Sequence, residues 1–205
     1  MSKGDAVAGP GLTHLFTMRA ALGARLDGGD GPLGRRVFNA ASGGEFAGAR
    51  LRGAVVPGSA DWMLIRRDGS MVIDARAILR TDDGATIHMT YAGRAIFPAD
   101  VLADVRDPAR RHLIDPARYY FRTTPLFETG AEAYAWLNDL VCVATGQLTE
   151  PGLNYEVFQV GDAVVRGPAR LLKTVRVQGK RACRRGRARG RARRSDARLE
   201  IPCRD

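Results

Sequence analysis

Apolar and polar residues alternate with a period of two through much of residues 12–92, the spacing of a β-strand with one buried face. The clearest run is 71–80. Met71, Ile73, Ala75, Ala77 and Leu79 share one face, and Val72, Asp74, Arg76, Ile78 and Arg80 share the other. Asp82-Asp83-Gly84 then turns the chain into a second run, where Ala85, Ile87, Met89 and Tyr91 alternate with Thr86, His88 and Thr90. Upstream, Leu12–Leu22 reads as extended, followed by a glycine-rich loop over 27–34 and a strand over Arg36–Ala40. Ser42-Gly43-Gly44 reads as a turn, and Glu45–Val56 as a strand broken by glycines. Pro57-Gly58 is a turn pair, Asp61–Arg67 a strand, and Asp68-Gly69 a strong hairpin signal.

Residues 98–117 break the pattern, with Pro98, Asp107-Pro108 and Asp115-Pro116 framing Arg110-Arg111-His112. A short helix is expected over Ala99–Val105, in a segment that reads as a lid or a surface excursion. Strand character resumes at Arg118–Phe127, a helical turn follows over Glu132–Leu137, and strands over Asp139–Gln147 and Leu153–Val160 complete the regular part. Turn signals every 8–12 residues or so argue for an all-β sandwich or barrel. The expected fold is all-β: a small closed or nearly closed antiparallel β-barrel of about eight or nine strands with one or two short helices. Alternation alone does not decide which face of each strand looks inward.

Composition changes this picture at one end only. The chain of 205 residues carries a formal charge of +10. Residues 1–165 hold 17 Lys/Arg against 19 Asp/Glu, whereas residues 166–205 hold 15 against 3. The expected organisation is a flexible N-terminus over 1–11, a slightly acidic barrel domain over 12–165 and a basic, disordered tail over 166–205. Lys180–Arg198 is almost wholly Arg, Ala and Gly, too poor in apolar residues to order itself. Two readings of this tail stand side by side. It could contact nucleic-acid phosphates nonspecifically through counterion release, without aromatics to stack on bases. Alternatively, it has the texture of a GC-rich gene read in a shifted frame.

The start of the chain lacks the apolar core of a signal peptide, and no stretch approaches the roughly 18–20 apolar residues that span a bilayer. Cys142 sits in an apolar run, while Cys183 and Cys203 lie in the tail, an odd count that fits a reducing cytoplasm. His14, His88 and His112 lack zinc-site spacing. Neither a metal nor a cofactor is expected, no membrane contact is read, and a homo-oligomer is open. The common nucleotide-binding and nucleophile motifs are missing.

Three patterns place charged or large groups where a β-domain would otherwise use plain hydrophobes. They are Pro57-Gly58-Ser59-Ala60-Asp61-Trp62, the run Tyr119–Gly130 with Arg122 and Glu128 among aromatics, and Tyr134-Ala135-Trp136-Leu137-Asn138. An aromatic pocket with a few convergent polar groups is typical of small-molecule sites. Asp61 or Glu128, raised in pKa by burial, would serve as acid or base, and Arg122 offers a planar fork to an oxyanion. Equally, Asp61 could bond turn amides, the aromatics could be core, and Arg122 with Glu128 could be a structural ion pair. Arg76 points either to solvent or to ligand.

These motifs, with Gly44-Glu-Phe-Ala-Gly48, Asp74-Ala75-Arg76, Leu79–Gly84 and Tyr120–Pro125, resemble a bacterial family known as uncharacterised protein family three-eleven, or domain of unknown function thirty-two thirty-seven. The likeness spans about residues 12–160. It implies a compact β-barrel and, as pocket candidates, Asp61, Trp62, Arg76, Arg122, Glu128, Trp136 and Asn138. Ser59 stands where the family usually has a second glycine, and Tyr91-Ala92-Gly93 where it often carries an Asn-Arg-Gly-like turn. Tyr91 joins the ligand-binding candidates. The leading expectation is a cytoplasmic barrel that encloses a small aromatic or carboxylate-bearing molecule. The alternatives are a cofactor-free acid/base enzyme (isomerase, cyclase or dehydratase) on the same barrel, and nucleic-acid binding through the tail.

Overall fold

The computed structural model describes residues 9–150 and 152–161. The basic segment 166–205, with Cys183 and Cys203, lies outside them, as does most of 1–11.

Among the described residues nine antiparallel strands form one sheet that closes on itself. They are β1 (Leu12–Gly31), β2 (Gly34–Ala47), β3 (Arg52–Val55), β4 (Ala60–Ile65), β5 (Met71–Thr81), β6 (Thr86–Ile96), β7 (Tyr120–Glu128), β8 (Cys142–Leu148) and β9 (Gly152–Val160). Neighbours in sequence are neighbours in the ring, and β1 pairs with β9 from Leu12↔Val160 to Ala21↔Gly152, which closes it. The exception is β3 and β4, which share one position between β2 and β5. Residues 52–65 are therefore one strand interrupted by a bulge at Val56–Ser59. Its register slips by one residue against β2 and by two against β5.

Two expectations about turns give way to bulges. Ser42-Gly43-Gly44 does not turn the chain: β2 runs straight through, with Ser42 as the extra residue between the pairs Ala21↔Gly43 and Leu22↔Ala41. Gly44 is required there because a Cβ would collide with the Arg19 carbonyl oxygen on β1. Likewise, 27–31 is not a loop. β1 continues to Gly31, and Arg35, bonded to Asp27 and Asp30, ties the tip of the β1–β2 hairpin together.

The alternation resolves as odd-numbered residues inside on β5, β6 and β7. Ile73, Ala75, Ala77 and Leu79 are buried, as are Ile87, Met89, Phe121 and Phe127. One end of the barrel is solid. Phe16 packs at a steep tilt against Phe46 and edge to face against Phe127, at centroid separations of 5.6 and 5.8 Å, in one buried cluster with Leu79, Ile87 and Leu137. Each such side chain contributes about 1.5–3 kcal/mol of burial free energy. A 3₁₀ turn over Glu132–Asp139 lies at this end. The stretch between β6 and β7 holds α1 (Leu102–Arg106) and three short 3₁₀ turns, anchored by buried Val101 and Ile114. No helix among the described residues is long and apolar enough to cross a membrane.

Candidate functional site

The other end of the barrel is hollow. A cavity of about 550 Å³ opens between the β1–β2 hairpin, the start of β5 and the α1 segment. Its walls are mainly apolar, including Met63, Ile73, Ala95 and Phe121, and the α1 segment adds Phe97, Leu102 and Val105. This is the range of volume and lining that small-molecule sites have. Among the described residues no group of three His, Cys, Asp or Glu side chains converges as metal ligands would.

Asp61 is the acidic group set deepest in this apolar wall. The bulge at 56–59 delivers it. Gly58 supplies a positive φ of 99°, and Ser59 locks the bulge by donating to the Val56 carbonyl (2.8 Å) and accepting the Ile78 amide (3.0 Å). Past the bulge, β4 pairs with β5 at Ala60↔Arg76 and Asp61↔Ala75, then skips to Leu64↔Val72. In that gap Asp61 Oδ1 accepts the backbone amide of Asp74 at 3.0 Å. Burial raises the Asp61 carboxyl to a pKa of about 6, the Asp74 carboxylate adds to the rise, and the Asp74 amide and the charge of Arg36 oppose it.

Two phenols share the cavity with it, Tyr91 in the cross-strand row Asp61↔Ala75↔Tyr91 and Tyr155 on β9. Tyr91 and Tyr155 lie edge to face with ring centroids 5.6 Å apart, and Phe121 packs on Tyr155 in the same manner. Burial first, and then the Asp61 charge, raise the Tyr91 hydroxyl above the usual phenol value, while the neighbouring Tyr155 offsets part of the rise. Tyr155 is raised by burial and by both neighbours. Each phenol therefore stays a neutral hydrogen-bond donor, and near neutrality Asp61 is the group of the three able to exchange a proton.

The structure thus brings Asp61 and Tyr91 together, and both line the cavity. It does not bring the other candidates to them. Trp62 lies on the outer face of β4, where Arg36 bonds its carbonyl at 2.8 Å. Arg76, 53% exposed, leans over the Trp62 ring at 5.2 Å and pairs with Asp74 at 3.3 Å, also on the outer face. It is among the residues that border the cavity, but its guanidinium is engaged by Asp74 and Trp62 on the outer face. Arg122 points out of β7, over Tyr120 and onto the Phe121 carbonyl. Glu128 is exposed at the far end of the same strand, and the two form no ion pair. Trp136 sits at the solid end under the Arg50 guanidinium, 3.5 Å from its ring centroid. Asn138 bonds both backbone groups of Thr129, at 2.8 and 3.0 Å, and fixes the 3₁₀ turn to the end of β7.

Tyr155 was not singled out by sequence reasoning, although Asn154-Tyr155-Glu156-Val157-Phe158 alternates clearly and its partner Tyr91 was. Arg111, which reaches the cavity from the α1 segment, carries no local signal beyond its place between Arg110 and His112.

The sequence pattern of the family described as "Protein of unknown function (DUF3237)" matches residues 10–160. A UPF0311 protein of Bradyrhizobium diazoefficiens is 33% identical over 147 residues, which cover 72% of this chain and 94% of that protein. The crystal structure of a conserved protein of unknown function from Rhodopseudomonas palustris superposes with a TM-score of 0.66. It is 31% identical over 74% of this chain and 99% of that one. A β-barrel-like protein from Acinetobacter baumannii gives a TM-score of 0.63 at 31% identity, over 73% of this chain and 95% of its own.

Proposed function

Given that the chain belongs to the DUF3237 family of proteins of unknown function, we propose that its barrel encloses a small aromatic or carboxylate-bearing molecule. The observation that carries this reading is the hollow end itself: about 550 Å³ of mainly apolar cavity with Asp61, Tyr91 and Tyr155 converging on it. A rigid closed sheet pre-forms such a site, so little ordering free energy is lost when a ligand binds. Buried Cys142 is in keeping with a protein of the reducing cytoplasm.

A second reading is favoured by the Asp61 carboxyl alone. With a pKa of about 6, it can take or give a proton near neutral pH. Two neutral phenols beside it can steady a developing oxyanion, so isomerisation, cyclisation or dehydration would suit the same cavity.

Native mass spectrometry of the purified full chain, with N-phenyl-1-naphthylamine as an uncharged aromatic probe, tests enclosure. Retention of a co-purified small molecule, or saturable uptake of one probe per chain, is expected. A chain that carries nothing and takes up no probe would overturn it. Once a ligand is in hand, Asp61→Asn separates the two readings: a binder keeps turnover-free affinity, and an enzyme loses its rate.

A further inference from the structure

The arginines of the α1 segment divide into two sets. Arg110 pairs with Asp104 at 2.9 Å and Arg118 with Asp100 at 2.5 Å, both on the outside. Arg106 and Arg111 line the cavity instead and have no acidic partner among the described residues. Arg111 goes further: its Nε is buried and meets no hydrogen-bond acceptor. Across the mouth, the β1–β2 hairpin adds Arg25 and Arg35, of which Arg35 is held by Asp27 and Asp30. The acids around the cavity are thus Asp27, already committed to Arg35, and Asp61, deeper in the barrel at the level of Ala75 and Tyr91.

A guanidinium donor withdrawn from water without an acceptor is costly, and the segment has satisfied its outward arginines with nearby acids. Arg111, with the exposed Arg106 beside it at the mouth, is left for something that enters. A guanidinium offers a planar fork that matches an oxyanion with two parallel hydrogen bonds. We propose that the mouth of the cavity is an anion-binding subsite in which Arg111, flanked by Arg106, holds an acidic oxygen group of an otherwise apolar ligand. This rests on the enclosure reading above and adds an orientation to it. The acid group sits at the α1 segment, the apolar body lies between Ile73, Ala95 and Phe121, and the far end meets Tyr91, Tyr155 and Asp61. A ligand with a second negative charge at that far end is excluded by Asp61 when it is ionised.

Two fluorescent probes share one ring system and test this. 8-Anilinonaphthalene-1-sulfonate carries a fixed negative charge, and N-phenyl-1-naphthylamine lacks it. Only sulfonate probe that the neutral one displaces is counted, which removes any bound to the basic segment 166–205. The full chain is expected to prefer the sulfonate by about tenfold or more, the scale of one charge-assisted hydrogen-bonded pair. Arg111→Met should abolish that preference while changing affinity for the neutral probe by less than about twofold, since charged and uncharged ligands share only the apolar contacts. Arg111→Lys, which keeps the charge without the fork, should retain part of it. Arg80→Met, on the outer face of β5, should change neither. If the neutral probe binds and the sulfonate is not preferred, the anion subsite is wrong while enclosure stands. The subsite is equally wrong if the preference survives both Arg111→Met and Arg106→Met. If the neutral probe is not taken up at all, enclosure fails and the subsite fails with it.

Discussion

The Asp61 carboxylate accepts the backbone amide of Asp74 at 3.0 Å, in place of a ladder bond that β4 does not supply to β5 at that point. An interruption in a sheet is thereby satisfied by a side chain whose other oxygen is left for the cavity. The arrangement couples the β4–β5 pairing to the protonation of a single carboxyl.

That coupling has a sign. Asp61 is raised from 3.8 to about 6 in the folded protein, so between these values the folded state binds more protons than the unfolded one. Stability from this group is fully present below about pH 4 and is lost as pH rises through about 6, a change of roughly 2–3 kcal/mol. Asp61→Asn keeps an acceptor for the Asp74 amide and should remove this slope. At pH 8 it should raise the melting temperature by roughly 5–10 °C. Thermal unfolding of both proteins at pH 4, 6 and 8 is the measurement. Parallel pH profiles would show that Asp61 is not the group responsible.

Glu128→Gln and Arg122→Met change side chains on the outer face of β7. Each is expected to alter stability by no more than about 0.5 kcal/mol and to leave uptake of the neutral probe unchanged. A loss of probe affinity in either would place the binding site somewhere other than the hollow end.

Asn138→Ala removes both hydrogen bonds to the Thr129 backbone. The expected cost is about 1–2 kcal/mol, measured by urea unfolding, because the Thr129 amide loses its acceptor at a part-buried position. Probe binding should persist, since this turn closes the solid end of the barrel.

Gly146 on β8 leaves space for the Phe121 ring, and a Cβ there would approach three ring atoms at 2.6–2.7 Å. Gly146→Ala should therefore displace Phe121 toward Tyr155 and destabilise the fold by roughly 1–3 kcal/mol, as overpacking does. Because Phe121 also lines the cavity, affinity for the neutral probe should fall in the same variant. Unchanged stability and affinity together would mean that β8 yields instead.

The sequence carries the barrel more openly than it carries the site. The period-two runs along β5 and β6, and the turns at Asp68-Gly69 and Asp82-Asp83-Gly84, are local signals that the structure repeats. The inward direction of each face is not local, because it depends on where the neighbouring strands put their bulk. Arg76, Arg122 and Glu128 were drawn into a site by the company they keep along the chain, yet each occupies the outward half of its alternation. The glycine pairs mislead in the opposite sense. Ser42-Gly43-Gly44 looks like a turn until β1 is packed against it, where the missing Cβ admits the Arg19 carbonyl. Asp61 was legible as a candidate because the Pro57–Ala60 turn delivers it, with Trp62, at the mouth of a strand. Its meeting with Tyr91 and Tyr155 needed the ring to close.

The ring closes between β1 and β9, at opposite ends of the barrel's sequence. On a ribosome, β1 is made about 130–150 residues before its partner. At bacterial or eukaryotic synthesis rates that interval is roughly 7–30 s. Throughout it, the nascent sheet has two bare edges, the geometry that invites pairing with another chain. Arg19 and Arg25 lie on the waiting strand, and such charges act as gatekeepers against that misassembly. The hollow end cannot exist in this interval either, since Tyr155 arrives with β9. A chain cut before residue 152 would have neither a sealed wall nor the second phenol.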